Sequence, residues 1–393
     1  MVALLLGGDG ALPTLDAIGR LFIHVGRYAL FPLVLFGAAV GVYELKREKK
    51  TLVTLGRILL YMTIASALLA VVGTLSTIVF APDRIPIIIE EEIIYSVPSL
   101  SQVLLSIFPR NLFAVATVTG DHLLPIFIFA LILGLNLTFD RLATRPAIQL
   151  FESLNRVFYN LNAFVLEIIA IGFIPITAAF LLRLSSTPEL SLYRQLILVL
   201  VIDTLFVMFV LYPILIYFGA GKRNPYRWLY TGLGTLFVAA VTGDAFFSLT
   251  AQIRHTKENF GVPRRIGAVS LPIFTLFGKA GTAMVTGTSF VLIVTSYSSL
   301  GITIAQTVWI MVFAFLASLA VGSFPGIGII VALSILSSGF SSGFEEGFLI
   351  LSPVLPVLMS FAVTLDVLTA SLATMLVARH SGSQNEIEPS EYI

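Results

Sequence analysis

Long apolar stretches separated by short charged clusters set the pattern of this chain. They run at about 19–45, 52–81, 100–138, 147–183 and 193–219. Each reaches the roughly 20 apolar residues that an α-helix needs to cross a bilayer. Leu196–Phe218 is representative, interrupted only by Asp203 and Thr204. After residue 226 the pattern changes. The apolar stretches are cut by Gly, Pro and Thr, and they read as a broken pair over 226–258, a span over 265–298, a second broken pair over 302–343 and a last span over 347–378. Short segments alternating at period two, the mark of a transmembrane barrel, do not occur. The pattern predicts an all-α polytopic membrane protein.

The polar breaks orient the spans. Basic residues cluster in ELKREKK (44–50), GKRNPYR (221–227), IRHTKE (253–258), PRR (263–265) and at Arg379. The positive-inside rule puts all of these in the cytoplasm and the acidic IEEEIIY (89–95) outside. Span 19–45 then runs inward from an outside N-terminus. For 221–227 and 253–258 to share a side, 226–258 must enter and return on that side. If 265–298 runs outward and 347–378 brings Arg379 inside, then 302–343 is a second hairpin, entering from the opposite face. Its midpoint, VGSFPGIG (321–328), is rich in Gly and Pro, as a hairpin tip at membrane depth would be. The plan is seven transmembrane helices plus two oppositely oriented re-entrant hairpins, an inverted repeat of the kind that builds secondary transporters. Charge parity equally permits four ordinary helices in place of the two hairpins.

Composition sharpens the class. Hydrophobic residues make up 57% of the 393 and charged residues 11%, against roughly 25% charged in soluble domains. A net charge of +1 gives no reason to expect a nucleic-acid partner, and the absence of cysteine excludes disulfides, cysteine-ligated zinc and iron–sulfur clusters. No Gly-x-Ser-x-Gly, His-Glu-x-x-His or nucleotide-binding P-loop motif appears, so neither an enzyme nor an ATP-driven pump is expected, and no cofactor.

One charge is out of place. LFGKAGTAM (276–284) carries Lys279, and no other Asp, Glu, Lys, Arg or His follows until Glu345. An ammonium at membrane depth pairs, lines a pathway or snorkels to an aqueous edge. Asp203 and Glu167 also sit in apolar spans and read as structural partners for polar groups on neighbouring helices.

Several stretches together resemble the dicarboxylate/amino acid:cation symporter family, of glutamate-transporter type. They are FPRNLFAVATVTGDHLLPIFIFALILGLNL (108–137), NPYRWLYTGLGTLFVAAVTGDAFFSLTAQIRHTKENFGV (224–262), SLPIFTLFGKAGTAM (270–284), LASLAVGSFPGIG (316–328) and LATMLVAR (372–379). The likeness covers nearly the whole chain from about residue 19. GRLFIHVGRYALFPLVLFGAAVGVYELKREKK is similar to the family's second helix, so its first helix is expected to be missing. The resemblance implies a homotrimer in the lipid bilayer, in a prokaryotic inner membrane, moving a small-molecule substrate of the amino acid or carboxylate class by an elevator movement. It divides the chain into an extracytoplasmic segment (1–18), scaffold helices (19–50 and 100–189), a transport-domain helix with an outside loop (51–99), a transport domain (190–380) and a disordered cytoplasmic tail (381–393).

The family pattern also implies the site, and this chain departs from it. Gly278, Lys279, Ala280, Gly281 and Thr282 fall on the unwound motif Asn-Met-Asp-Gly-Thr, so only Gly281 and Thr282 match. The Asn and Asp that supply oxygens to sodium are replaced by Gly278 and Ala280, and a hard cation needs those oxygens. Asp244 and Ala245 lie in the first hairpin's serine-rich tip; Ser323, Pro325 and Gly326 lie in the second, read as a gate over the site. In the last helix Met359 falls on the Asp that binds the substrate amino group, Ala362 on the Arg that binds its side-chain carboxylate, Ala370 on a cation-binding Asp and Asp366 on an Asn; a slip of one turn would put Asp366 on the cation-binding Asp itself. Transport without sodium is expected, with Lys279 as a built-in cation paired to Asp244 or Asp366. Proton coupling through one of those acids, a passive channel, or a homologue that no longer transports are the alternatives.

Overall fold

The computed structural model describes residues 12–86, 108–109, 111, 123–219, 225–298, 301–323, 327–340 and 343–384. The acidic stretch 89–95, the basic residues 221–224, Pro325, Gly326 and tail residues 385–393 lie outside them. Among the described residues the structure is helical, without strands. The helices are α1 (Leu12–Arg27), α2 (Leu30–Arg47), α3 (Thr51–Phe80), α4 (Leu123–Asn136), α5 (Arg141–Ser185), α6 (Arg194–Phe206), α7 (Tyr212–Gly219), α8 (Pro225–Thr242), α9 (Ala245–Glu258), α10 (Arg264–Leu276), α11 (Ala280–Tyr297), α12 (Ile304–Ala320), α13 (Gly328–Phe340) and α14 (Leu355–His380). Six stretches among the described residues are long and apolar enough to cross a membrane.

The elements follow the apolar pattern, with informative differences at their ends. The chain is already helical at Leu12, the first described residue and upstream of residue 19, and the helix breaks at Tyr28–Ala29. A π-helical turn at Val207–Leu211 joins α6 to α7. α5 spans 45 residues, about 68 Å at 1.5 Å per residue, so it outruns a hydrocarbon core of roughly 30 Å. Asp140 starts it, its Oδ1 accepting from the backbone N–H groups of Leu142 (3.0 Å) and Ala143 (3.1 Å). Tail residue Gln384 donates to the Phe260 carbonyl at 2.9 Å.

The two stretches read as hairpins each form a pair of packed helices, α8 with α9 and α12 with α13. Gly243 makes the first turn, with φ +58°, a backbone angle that costs glycine little. Between α10 and α11 the helix unwinds at Phe277–Lys279, inside the motif read as an ion site.

α11 forms the centre. In the stretch Arg264–Tyr297, 89% of the apolar window is buried, against 33% for Leu142–Ser185 on α5. Its small residues, AGTAMVTGTS, let α3 and α14 approach closely, as in membrane interiors where association rests on close packing. A Cβ on Gly281 would collide with the Ala362 carbonyl and fall 2.5 Å from the Leu365 Cβ, so the N-terminus of α11 lies directly on α14. Polar bonds tie the neighbours together: Gln252 on α9 donates to Val367 O (2.8 Å) and Ser371 Oγ (2.9 Å) of α14, and the Ser270 and Thr374 hydroxyls meet at 2.7 Å. α1, α2, α4 and α5 pack around this group on one side.

Candidate functional site

The unwound residues Phe277–Lys279 bring the start of α11 to the middle of α14. Asp366 stands there, 4% exposed. Thr282 donates its backbone N–H to Oδ1 of Asp366 at 3.1 Å and its hydroxyl to Oδ2 at 2.9 Å. The carboxylate therefore caps the N-terminus of a helix other than its own, where the unpaired N–H groups and the helix dipole favour negative charge. Lys279 Nζ lies 3.8 Å from the same Oδ2. That is ion-pair distance but beyond a hydrogen bond. Lys279 makes no hydrogen bond to the other described residues, so its three donors stay available to a ligand.

The ammonium borders a small cavity of about 20 Å³, room for about one water. Ala245 and Gly243 come to it from the first hairpin turn, Thr282 from α11, and Met359 and Ala362 from α14. Gly322, at the end of α12, closes it from the second hairpin and sits against the Leu276 carbonyl. Four regions far apart in sequence converge on one lysine. Met359 and Ala362 line it where the family pattern carries an acid and an arginine.

The expected site residues divide. Ala245, Lys279, Thr282 and Ala362 line the cavity, with Gly281 and Asp366 packed directly behind. Ser323 ends a short 3₁₀ turn next to it. Asp244 faces elsewhere. Its Oδ1 accepts from the backbone N–H groups of Phe246 (2.9 Å) and Phe247 (3.1 Å), capping α9, and its Oδ2 meets the Arg27 guanidinium of α1. Of the two acids offered to Lys279, the neighbour is Asp366. Asp244 lines a larger cavity of about 410 Å³ between the first hairpin turn, the start of α14, α1 and α5. Asp203 receives the Ser76 hydroxyl of α3 at 2.6 Å, as a structural partner would. Glu167 does not follow that reading: it is exposed on α5 and has no partner among the described residues.

Arg27 is the residue that sequence reasoning passed over. A signal was present, a guanidinium inside the apolar stretch 19–45, but its partner lies 217 positions away.

Apolar spans wrapped round a buried ion pair, a broken helix and two packed helix pairs define an integral membrane protein organised about an internal polar site. The family model described as "Sodium:dicarboxylate symporter family" matches residues 2–380, and the chain belongs to that family. It is a membrane transporter and not an enzyme. It is 21% identical to a proton/sodium-glutamate symport protein of Geobacillus stearothermophilus, over 100% of this chain and 93% of the relative. It is 23% identical to excitatory amino acid transporter 1 of Rattus norvegicus, over 56% of this chain and 41% of that protein. A proton/glutamate-aspartate symporter of Bacillus subtilis is 21% identical over 61% of this chain and 56% of the relative.

Proposed function

We propose that this protein is a secondary transporter for a small carboxylate or amino acid, working without sodium, with Lys279 as its built-in cation. The observation that carries this reading is the ammonium of Lys279 held 3.8 Å from Asp366 and bordering the cavity that the first hairpin turn and the facing ends of α12 and α13 line. Relatives named as proton/sodium-glutamate symporters favour an anionic substrate class. The residues here shift the expectation within that class. With Ala362 in place of a guanidinium, the second carboxylate of glutamate has no bidentate partner. With Met359 in place of an acid, the amino group loses one too. An ammonium on Lys279 suits a substrate with a single carboxylate near the helix break. Gly278 and Ala280 offer no side-chain oxygen for sodium, and the lysine already supplies a positive charge beside Asp366.

In this reading the chain has seven transmembrane helices, and α8–α9 and α12–α13 are re-entrant hairpins entering from opposite faces. The N-terminus is outside and the C-terminus inside the cytoplasmic membrane. The group around α11 and α14 moves as an elevator against α1, α2, α4 and α5 in a homotrimer. The exposed apolar face of α5, with Phe164, Ile171 and Ile174 each more than half exposed, suits contact with a neighbouring protomer or lipid.

Flux into proteoliposomes tests the proposal. Uptake of small carboxylates and amino acids is expected with sodium replaced by choline, and loss of uptake in Lys279→Met. A strict sodium requirement, or Lys279→Met with unchanged flux, overturns it. A second reading, proton coupling, is favoured by the printed names of the bacterial relatives. It predicts uptake driven by an inward proton gradient alone and abolished by a protonophore.

A further inference from the structure

A second polar cavity, of about 280 Å³, lies where α2, α5 and α10 meet. Arg47 and Glu44 reach it from α2, Arg156, Glu152 and Asn155 from α5, and Arg264 and Arg265 from α10. Four guanidinium groups face two carboxylates, an excess of two positive charges. Two of the arginines are already engaged: Arg265 with Glu48 at 2.8 Å, and Arg264 over the Tyr159 ring at 4.3 Å. Arg47 and Arg156 make no hydrogen bond or ion pair with other described residues, and neither Glu44 nor Glu152 comes within ion-pair distance of any of the four. Asn155 is 5% exposed and its amide is likewise without a hydrogen-bond partner among the described residues, although it lines the cavity. The cavity thus sets a buried residue, Asn155, beside two exposed arginines that have no ion-pair partner among the described residues.

Depth identifies the ligand. Arg47 is the last residue of α2 and Arg264 the first of α10, so the cavity sits where these two helices end; with both read as membrane spans, that is the depth of the headgroups. These ends carry the basic clusters 44–50 and 263–265, which the positive-inside rule assigns to the cytoplasmic leaflet. Basic pockets between helices on that side suit anionic headgroups.

We infer that this cavity binds a phosphate-bearing anion, with Arg47 and Arg156 holding its oxygens bidentately and Asn155, Glu44 and Glu152 accepting or donating to hydroxyls beside it. A hydroxylated phosphodiester headgroup such as phosphoglycerol meets every one of these groups; free phosphate meets the guanidinium groups alone. Binding there bridges α2 and α5 to α10. That consequence for movement rests on the elevator reading above; binding itself does not.

The test uses purified full-length protein in a neutral detergent, read by native mass spectrometry and thermal unfolding, so its outcome is independent of any flux assay. Phosphatidylglycerol, phosphatidylcholine of the same chains and inorganic phosphate are compared at fixed ionic strength. One phosphatidylglycerol per protomer and a raised unfolding temperature are expected, with affinity at least about ten-fold lower in R47Q/R156Q. R47K/R156K keeps the charge but loses the planar fork, and its affinity is expected to fall between the two. This variant serves where the glutamine pair does not fold. A shift reproduced by inorganic phosphate, and lost in the same variants, assigns the site to the free anion. Binding no tighter than phosphatidylcholine, or undiminished in both double variants, overturns the inference.

Discussion

Asp244 and Asp366 each place one carboxylate oxygen on backbone N–H groups at a helix start and bring the other to a basic side chain, yet their settings differ. Asp244 caps its own helix, α9, and its cation, Arg27, belongs to α1 in the surrounding group. Asp366 caps α11 from the middle of α14, and its cation, Lys279, sits at the start of the helix that it caps. The side chains of the first pair are 23% and 12% exposed, those of the second 11% and 4%. The outer pair joins α1 to the first hairpin turn and borders a wide cavity, so on the elevator reading proposed above it would cross the moving boundary. The inner pair belongs to one body and borders a space the size of a water. A contact that must break for one group of helices to slide past another belongs at the wetter place, where breaking it costs less.

Removing Asp366 therefore has the largest expected effect. Asp366→Ala leaves Lys279 without its counter-charge and Thr282 without its acceptor, at a cost of about 3–5 kcal/mol by analogy with other buried pairs. Thermal unfolding in detergent is expected to show a large fall in midpoint, or no monodisperse protein. The double variant Lys279→Met/Asp366→Leu removes both charges together and should recover much of the loss. If Asp366→Ala melts like the parent, the inner pair is not structural and the contrast between the two acids collapses.

Lys279→Met comes second. Asp366 keeps both bonds from Thr282 in this variant, so the cost in stability is expected to be smaller, about 1–2 kcal/mol. Loss of flux should exceed what that destabilisation explains. Thr282→Val separates the two roles further. It deletes the hydroxyl donor for about 1 kcal/mol but leaves the ammonium in place, so uptake is expected to persist at reduced rate. Equal flux loss in Thr282→Val and Lys279→Met would mean that the helix cap matters and the cation does not.

Much of this arrangement is legible in the sequence, for physical reasons that also mark its limits. A lysine alone in a long apolar run marks a polar site because an intramembrane charge needs a partner or a pathway, while the break at Phe277–Lys279 is expected only from the family resemblance. Asp244 reads from the sequence only as a hairpin-tip residue and a possible partner for Lys279; its role as the cap of α9 comes from the structure. The apolar pattern traces α5 over 147–183 and misses its first turn, where Arg141, Arg145 and Pro146 hide the helix from hydropathy. Which acid meets Lys279 was open, since both lie on other elements and only packing brings Asp366 to it. Arg27 was invisible as a partner because a pair between two distant helices leaves no local spacing to read. The exposure of Glu167 on α5 follows from which face of a long helix the bundle covers, and composition does not encode that.

The outer pair carries the smallest expected change in stability and the most discriminating one in behaviour. Asparagine is as good a cap as aspartate, so Asp244→Asn keeps the start of α9 while weakening the attraction to Arg27. A partly exposed pair contributes about 0–1 kcal/mol, so its unfolding midpoint should hardly move. Asp244→Ala loses the cap as well and should cost about 1 kcal/mol more. Arg27→Gln should match Asp244→Asn rather than Asp244→Ala, and combining Arg27→Gln with Asp244→Asn should add little to either alone. If the pair holds α1 against the first hairpin turn, these variants should speed exchange between states. A spin-label or fluorophore pair on α1 and α9 would report a broader distance distribution, while the Lys279–Asp366 variants leave that distribution narrow. The opposite pattern, in which the inner variants broaden the distances and the outer ones do not, would place the moving boundary between α11 and α14 instead of between α1 and α9.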